Sequence, residues 1–571
     1  MSHKIEIPVR HINGEPLNDQ QRKYLEGFFT GLAAHGVRFT DSDPAPVAEK
    51  KTSLDDLIFE ERVKRELHPL DAYGQIAKNA LTNQMPDKEE VFRFKWNGLF
   101  FLSPVKEAFM ARLRIPGGQL KSFQLREIAA IAKQLTTGYI QITTRANLQI
   151  RLIEPQNAPE VLRRIQSVGL HTCGAGADNI RNLTSNPTAG VDPHELIDCT
   201  PYVQELAQFI INLREFYDLP RKFNVAFDGG GLIGSVEDTN DIGVKAVRVG
   251  EAIVFRIVVG GATGHKAFGR DLGVVVPPRD IVNVVVALIR VYIAHGNRTN
   301  RKNARLKHLL ETWTLEQFLA AAEEQLGAQI ARSPLDPAAI TYPSEAISHS
   351  HIGVFPQKQA GLHYLGVAVP VGQLTPRQLE TVANIADKYG SGEIRLTVWQ
   401  NFIIPNIPGT FLETVKKEIQ RSGLQWQQSN LASGVVACTG NAYCKFSSTG
   451  TKAHALELIQ YLEHRLKLDV PVNIHFTGCP HSCAQHYIGD IGLLGVKTSD
   501  RREAYHVCVG GGFGKRQAVG RLIFQAVLFE ELKPLIERIL LVYLKKRSGS
   551  ESFQDFTARH DLNELQALFH L

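Results

Sequence analysis

Residues 115–150 and 369–404 align without a gap at a constant offset of 254, which restricts the chain to a fold containing two copies of one module. IPGGQLKSFQLREIAAIAKQLTTGYIQITTRANLQI faces VPVGQLTPRQLETVANIADKYGSGEIRLTVWQNFII. The copies share Pro116/Pro370, the turn Gly118-Gln119-Leu120/Gly372-Gln373-Leu374, and Gln124-Leu125/Gln378-Leu379 with Ile131/Ile385 in a helix. A glycine at 138/392 and a strand with Thr143/Thr397 and Asn147/Asn401 complete the match. Alternating apolar residues mark the strands and an apolar stripe marks the helix, so each copy reads strand, helix, strand. Two units at so long a period form a pseudo-symmetric pair whose half-sheets face a shared site. The copies differ in charge: the first carries Arg112 and Arg145 where the second has Gly366 and Trp399. Stability alone gives no reason for one copy to collect the cations, so copy one is read as the functional half and copy two as scaffold.

A chain of 571 residues exceeds a single core and divides into about three to five domains. Its net charge of +6 reads either as an ordinary soluble surface or as a face for acidic partners and small anions. No basic run is interleaved with aromatics, which argues against nucleic acid. The most apolar stretch, GVVVPPRDIVNVVVALIRVYIAHG (273–296), is cut by Pro277, Pro278, Arg279 and Asp280, and the N-terminus has no apolar signal core or twin-arginine start, so no membrane span is expected. Seven cysteines do not make a disulfide framework, which points to a reducing, cytoplasmic setting.

Four of those cysteines, Cys438 and Cys444 in ACTGNAYCKF and Cys479 and Cys483 in FTGCPHSCAQ, form a C-x5-C and C-x3-C set flanked by Thr-Gly. Four thiolates at one point are the ligands of an iron–sulfur cluster or a structural zinc. The wide first pair, Pro480 inside the second and the small flanking residues favour backbone wrapped on a bulky inorganic core. Cys173, Cys199 and Cys508 lie apart and read as core residues or neighbours of the site.

With the cysteines stand TGNAYC, TGCPHSCA, DNIRNLTSNP (178–187), PRKFN (220–224), HGNRTNRKNARLKHLL (295–310) and FPQKQAGLHYLGV (355–367). Over nearly its whole length the chain resembles the siroheme-dependent nitrite and sulfite reductases. The resemblance implies a mixed α/β (α+β) fold of two ferredoxin-like half-repeats plus two larger siroheme and Fe–S domains. It implies a [4Fe–4S] cluster on Cys438, Cys444, Cys479 and Cys483, with Cys483 also the axial thiolate to the siroheme iron, and six-electron reduction of a small oxyanion on the opposite haem face. Arg112, Arg181, Lys222 and Asn224 match the substrate side. Thr143, Arg145, Asn147, Arg221, Arg298, Arg301 and Asn303 match positions that would hold siroheme carboxylates. The chemistry agrees: an anion and a macrocycle with eight carboxylates need fixed cations in a low-dielectric cleft, where arginine grips carboxylate bidentately and lysine is a point charge and proton source.

Asn224 separates the two substrates. Sulfite reductases place a second lysine two residues after the first, where nitrite reductases have asparagine, and a dianion gains more from an extra cation than a monoanion does. TTRANLQI and the cysteine spacing lean the same way, towards nitrite. Phe355 departs from the family, which often has histidine there. The alternatives are an assimilatory sulfite reductase or a zinc-stabilised, non-catalytic anion-binding protein.

Gly229–Gly234 fits GxGxxG, but no amphipathic helix clearly follows, and it is read as a glycine turn near the haem. Gly510–Lys515 resembles a P-loop without its Ser/Thr and is assigned to cofactor packing. The chain needs an external electron donor, ferredoxin or a separate flavoprotein. The organisation expected is an N-terminal extension with helices (1–90, including an amphipathic helix at 17–36), repeat 1 (91–170) and a siroheme/substrate domain (171–332). Repeat 2 (345–428), an Fe–S domain (429–545) and a C-terminal linker and helix (546–571) follow, with linkers at 41–53, 333–346 and 545–553.

Overall fold

A computed structural model describes residues 54–101, 108–136, 138–334, 336–343 and 351–570, with a few positions between 11 and 22. The chain forms two compact units, Met1–Leu57 and Ile58–Leu571. In the first, His11–Ile12 pairs with Glu15–Pro16 and Leu54–Asp56 form a 3-10 turn. The expected helix at 17–36 lies outside the described residues apart from Asp19 and Arg22, as does the linker at 41–53.

The second unit begins at Ile58, not near residue 90. Helices Phe59–Glu66, Tyr73–Thr82 and Lys88–Arg93 belong to it, and buried Glu61 and Lys64 tie the first of them to Arg298 and Asp218.

The duplicated module is interlocked rather than placed side by side. One five-stranded antiparallel sheet runs in the order Gln373–Leu374, Ile140–Ile142, Leu148–Ile153, Phe109–Arg112, Leu99–Phe101. The other runs Gly353–Pro356, Leu362–Val367, Phe402–Pro408, Glu393–Leu396, Gln119–Lys121. Each copy therefore lends the short strand after its shared Gly-Gln-Leu turn to the other copy's sheet. Glycine is required at the crossing: Gly118 and Gly372 sit at φ 72° and 70°, and a Cβ there would meet the carbonyl oxygens of Leu396 at 2.6 Å and Ile142 at 2.7 Å. The following helices, Ser122–Leu135 and Pro376–Tyr389, pack on one another, with Leu125, Ile128, Leu379 and Val382 in one core. Thr375 and Gln378 cap the second reciprocally: the Gln378 N–H donates to the Thr375 hydroxyl at 3.2 Å and the Thr375 N–H donates to the Gln378 amide oxygen at 2.9 Å.

Packing explains the charge asymmetry between copies. At Gly366, the counterpart of Arg112, a Cβ would lie 1.3 Å from the His351 carbonyl oxygen. Trp399, the counterpart of Arg145, packs its ring 5.4 Å from Phe513 and 6.1 Å from His475.

The two larger sheets are a second duplication, which the sequence reading missed. Ile180–Thr184, Phe223–Asp228 and Ile242–Val249 run parallel, and Ala252–Val259 and Arg270–Val276 follow antiparallel. Val435–Ala437, Ile474–Thr477, Ile491–Lys497, Glu503–Val509 and Arg521–Leu528 repeat that order and those directions. Val225 pairs with Ile242 as Ile474 pairs with Ile491, which sets the equivalence of positions. The nearly all-round apolar segment 281–295 is a helix buried in the core of the first sheet's domain. Described residues within two expected linkers belong to regular elements. Ile340–Thr341 add a strand to Arg248–Val249, and 545–553 is the end of helix Phe529–Lys546 and a turn leading to fully buried Phe553. No helix among the described residues is long and apolar enough to cross a membrane.

Candidate functional site

A cavity opens where the first module copy meets both larger sheets. Of the residues singled out in the sequence, Arg112, Thr143, Arg145, Asn147, Arg181, Lys222, Asn224, Cys438 and Cys483 line it. Strand Phe109–Arg112 delivers Arg112 at its end. Arg145 sits on a tight turn in which Thr143 N–H bonds Asn147 O at 3.0 Å, Arg145 N–H bonds the Thr143 hydroxyl at 3.1 Å, and Ala146 takes φ 49°. Lys222 and Asn224 lie two residues apart on an extended chain entering strand Phe223–Asp228, so they share a face while Arg221 points away.

Burial is the first cause of every shifted cation here. It brings Arg112 and Arg145 down to about 10 and Arg181 to about 9, with Arg112 and Arg221 adding repulsion to the latter. It holds Lys222 well below the ordinary lysine value, reinforced by Arg305 and Arg181. The arginines stay charged at neutral pH, so the cavity concentrates positive charge in a poorly solvated space. Arg181 Nε and Asn224 Oδ1 are buried with no hydrogen-bond partner. A polyanionic cofactor and a small anion fit the cations here, since they would supply the acceptor that Arg181 Nε lacks, whereas Asn224 Oδ1 is itself an acceptor and calls for a donor.

The cysteine loops are pressed together. Cys438 follows strand Val435–Ala437 and donates its N–H to Phe476 O at 3.0 Å; Gly478 N–H reaches Cys438 Sγ at 3.2 Å, and Ser448 N–H reaches Gly478 O at 2.7 Å. A Cβ on Gly478 would stand 1.8 Å from Ser447 Oγ, which is why the small residue is needed. Burial raises the Cys438 and Cys444 thiols and pushes Cys479 up to about 12, with the neighbouring thiols adding to it. Thiolates are costly in this enclosure until a cationic metal core compensates them. Cys483 is exposed at the cavity wall. The Thr144 hydroxyl bonds the Cys483 carbonyl at 2.8 Å and Gln485 Nε2 bonds the Thr239 hydroxyl at 3.0 Å, tying the cysteine loop to the first copy and the first larger sheet. Arg151, buried behind it, bonds Gln141, Gln149 and Thr439 at 2.7, 2.7 and 2.8 Å.

Several expected contacts lie elsewhere. Arg298 bonds Glu61 at 3.0 Å and Asp218 at 3.2 Å. Arg301 grips fully buried Asp178 with bonds of 2.7 and 2.8 Å and pairs with Glu60. Arg221 approaches the same Asp178 at 3.5 Å, and Asn303 is exposed. None of the four lines the cavity. Arg305, from the same string, does line it and was missed. The segment is not one continuous helix: a 3-10 turn at Arg301–Asn303 precedes Arg305, which sits in extended conformation before helix Leu306–Thr312. The three arginines therefore face different ways, which no helical spacing reveals. Lys452, buried and brought down to about 7, and Gln400 also line the cavity and were missed. Gln400 sits at the turn position equivalent to Ala146, and the repeat could have drawn attention to it.

The two glycine runs border a different space. Gly230, Gly231, Gly234, Phe513 and Gly514 line a second cavity of about 360 Å³, where Gly514 N–H and Gln517 Nε2 bond Asp238 Oδ2 at 2.8 and 2.7 Å. Neither run lines the cationic cavity, which corrects their assignment to the cofactor. Phe355 stacks on Tyr364 at 5.2 Å in a small apolar cluster with Val191, Ile233 and Ile403, also away from it.

Comparison with known proteins matches this layout. Residues 176–330 and 429–570 match the family described as nitrite and sulphite reductase 4Fe-4S domain. Residues 103–168 and 355–422 match the nitrite/sulfite reductase ferredoxin-like half domain. A ferredoxin–nitrite reductase from Synechococcus elongatus is 37% identical over 460 residues, covering 79% of this chain and 89% of that protein. The chloroplastic ferredoxin–nitrite reductase of Spinacia oleracea is 32% identical over 503 residues, 84% of each chain. The solved structure of the Mycobacterium tuberculosis NirA protein superposes with a TM-score of 0.83 at 30% identity, covering 89% of this chain and 97% of that one. The interlocked ferredoxin-like halves, the doubled larger sheet and the paired cysteine loops are those of the nitrite and sulphite reductase family, to which this chain belongs.

Proposed function

We propose that the chain reduces nitrite to ammonium, taking up six electrons and eight protons and releasing two waters, with reduced ferredoxin as donor. The observation that carries the choice of anion is Asn224 beside Lys222 on the cavity wall: one cation and one neutral amide, suited to a monoanion. The relatives from Synechococcus elongatus and Spinacia oleracea, both named ferredoxin–nitrite reductases, support the same reading.

Siroheme and a [4Fe–4S] cluster, when bound, supply the redox-active iron and the electron path. The chain's own residues do the rest. Cys438, Cys444, Cys479 and Cys483 would hold the cluster, with Cys483 at the boundary between cluster loop and cavity. Arg145, Arg305, Thr143 and Asn147 line the wall available to the cofactor's carboxylates. Arg112, Arg181 and Lys222 draw the anion in and hydrogen-bond its oxygens as charge builds on them. Lys222, with its lowered affinity for its proton, is the group best placed to give one up there.

Steady-state turnover of nitrite and sulfite with reduced ferredoxin tests the reading. Nitrite is reduced in preference, and the rate falls as salt rises because the chain carries a net charge of +6 and acidic ferredoxin docks by charge. Preferred sulfite turnover would reverse the substrate, and turnover only with an added flavoprotein would reverse the donor. Asn224→Lys adds a cation at the deciding position and raises sulfite over nitrite turnover by about ten-fold; an unchanged ratio would remove this residue from substrate selection.

A further inference from the structure

Fully buried Asp241 stands immediately before strand Ile242–Val249. Its Oδ1 accepts Arg305 Nε at 3.0 Å and Nη2 at 2.9 Å, and its Oδ2 accepts Arg305 Nη2 at 2.8 Å. The same Oδ2 accepts the Asn224 backbone N–H at 2.9 Å and the Asn224 amide nitrogen at 3.3 Å. One carboxylate thus joins the two groups, Arg305 and Asn224, that form the cavity wall beside Lys222.

The second larger sheet provides an internal comparison. Asp490, at the position equivalent to Asp241, accepts the N–H of Asn473, the equivalent of Asn224, at 2.8 Å. Gly510 N–H bonds Asp490 O at 2.9 Å as Gly260 N–H bonds Asp241 O at 2.8 Å. The carboxylate-to-backbone contact is therefore inherited architecture. What distinguishes the first copy is its place: Asn224 and Arg305 face the cationic cavity, and Asn473 and Asp490 do not line it.

We propose that Asp241 is a specificity-determining positioning residue, which cancels the charge of Arg305 and holds the Asn224 amide so that the cavity prefers an anion of one charge over one of two. This rests on the nitrite reading above. With its nitrogen held by Asp241, the amide leaves Oδ1 buried and unpartnered at the wall, an acceptor that disfavours a second negative charge. Loss of the carboxylate's charge leaves Arg305 uncompensated and frees the amide to present its N–H. Both effects act in one direction, towards the dianion.

The test compares Asp241→Asn, Arg305→Gln and the double variant as holoenzymes, after siroheme and iron content have been measured. Sulfite and nitrite are titrated by visible absorption where sulfite is dianionic, and kcat/KM is measured for each. Asp241→Asn raises the sulfite-to-nitrite ratio of affinities and of kcat/KM by about ten-fold, Arg305→Gln lowers it, and the double variant returns close to wild type. Equal losses on both anions, with the ratio unmoved in the single variants, overturn the inference and leave Asp241 a purely structural residue. If Asp241→Asn does not load its cofactors, Arg305→Gln decides: a lowered ratio supports the inference and an unmoved one overturns it. Wild-type protein that does not reduce nitrite refutes the substrate reading instead, and the binding ratios still judge Asp241.

Discussion

Cys483→Ala abolishes nitrite reduction, by about 10³-fold or more, and removes the visible absorption of cluster and siroheme together. Cys483 is the one cysteine of the four exposed at the cavity wall, and its carbonyl is fastened to Thr144 of the first module copy. In the proposed assignment a thiolate there would serve both the cluster set and the cofactor space, so its loss would open both at once. The polypeptide itself stays folded. Burial holds the Cys438, Cys444 and Cys479 thiols above their ordinary values, so the survivors persist as small neutral groups. Iron and sulfide analysis with a visible spectrum checks the result, and circular dichroism separates it from unfolding. A Cys483→Ala protein that keeps its full iron, sulfide and visible bands would sink the assignment. Cys173→Ala, half-buried in an apolar cluster with Trp96 and Tyr217, serves as the comparison and leaves the spectrum intact.

Lys222→Met lowers kcat for nitrite by about 10²- to 10³-fold, with a smaller rise in KM. The side chain is a cation at the wall and, in the proposed reaction, the proton source, and methionine keeps its length while removing both. Burial, then Arg305 and Arg181, hold its pKa well below the ordinary lysine value, and the Cys483 thiolate and Arg221 act on it more weakly and in opposite senses. The ammonium form is lost as pH rises through that lowered value, taking the cation and the transferable proton together. The wild-type rate therefore falls on the alkaline side at a lower pH than an ordinary lysine would give, and the Lys222→Met profile lacks that limb. Rate profiles of the two proteins against pH decide the matter; identical alkaline limbs would assign that proton to another group. Arg221→Met, one residue away but directed at Asp178, keeps the alkaline limb and moves it only towards higher pH, because one weak repulsion on Lys222 is lost.

The two module copies, the four cysteines and the cations Arg112, Arg145, Arg181 and Lys222 were legible because each leaves a local mark. A gapless repeat, a Cys spacing and a short string with two side chains on one face are all properties of neighbouring residues. The second duplication left almost no such mark. Its two copies have the same strand order and the same Asn N–H to Asp carboxylate contact at Asn224/Asp241 and Asn473/Asp490, but their position-by-position equivalence is read from sheet register. Arg298, Arg301 and Arg305 show the same limit at one string. Their identities were plain, while the irregular backbone between them sends two to structural carboxylates and one to the cavity.

The sequence by itself thus determined the ferredoxin-like pair, the family and the chemical class of the site, and it proposed the four cysteines as cluster ligands, because those depend on residue type and short-range spacing. The tertiary structure alone decided how the copies interlock through exchanged strands, which glycine runs stay away from the cofactor space and which arginine faces the cavity. It also decided that Asp241 stands behind Asn224 and Arg305. Those outcomes depend on long-range register and on where buried charges find partners, and both are settled only when distant segments pack against each other.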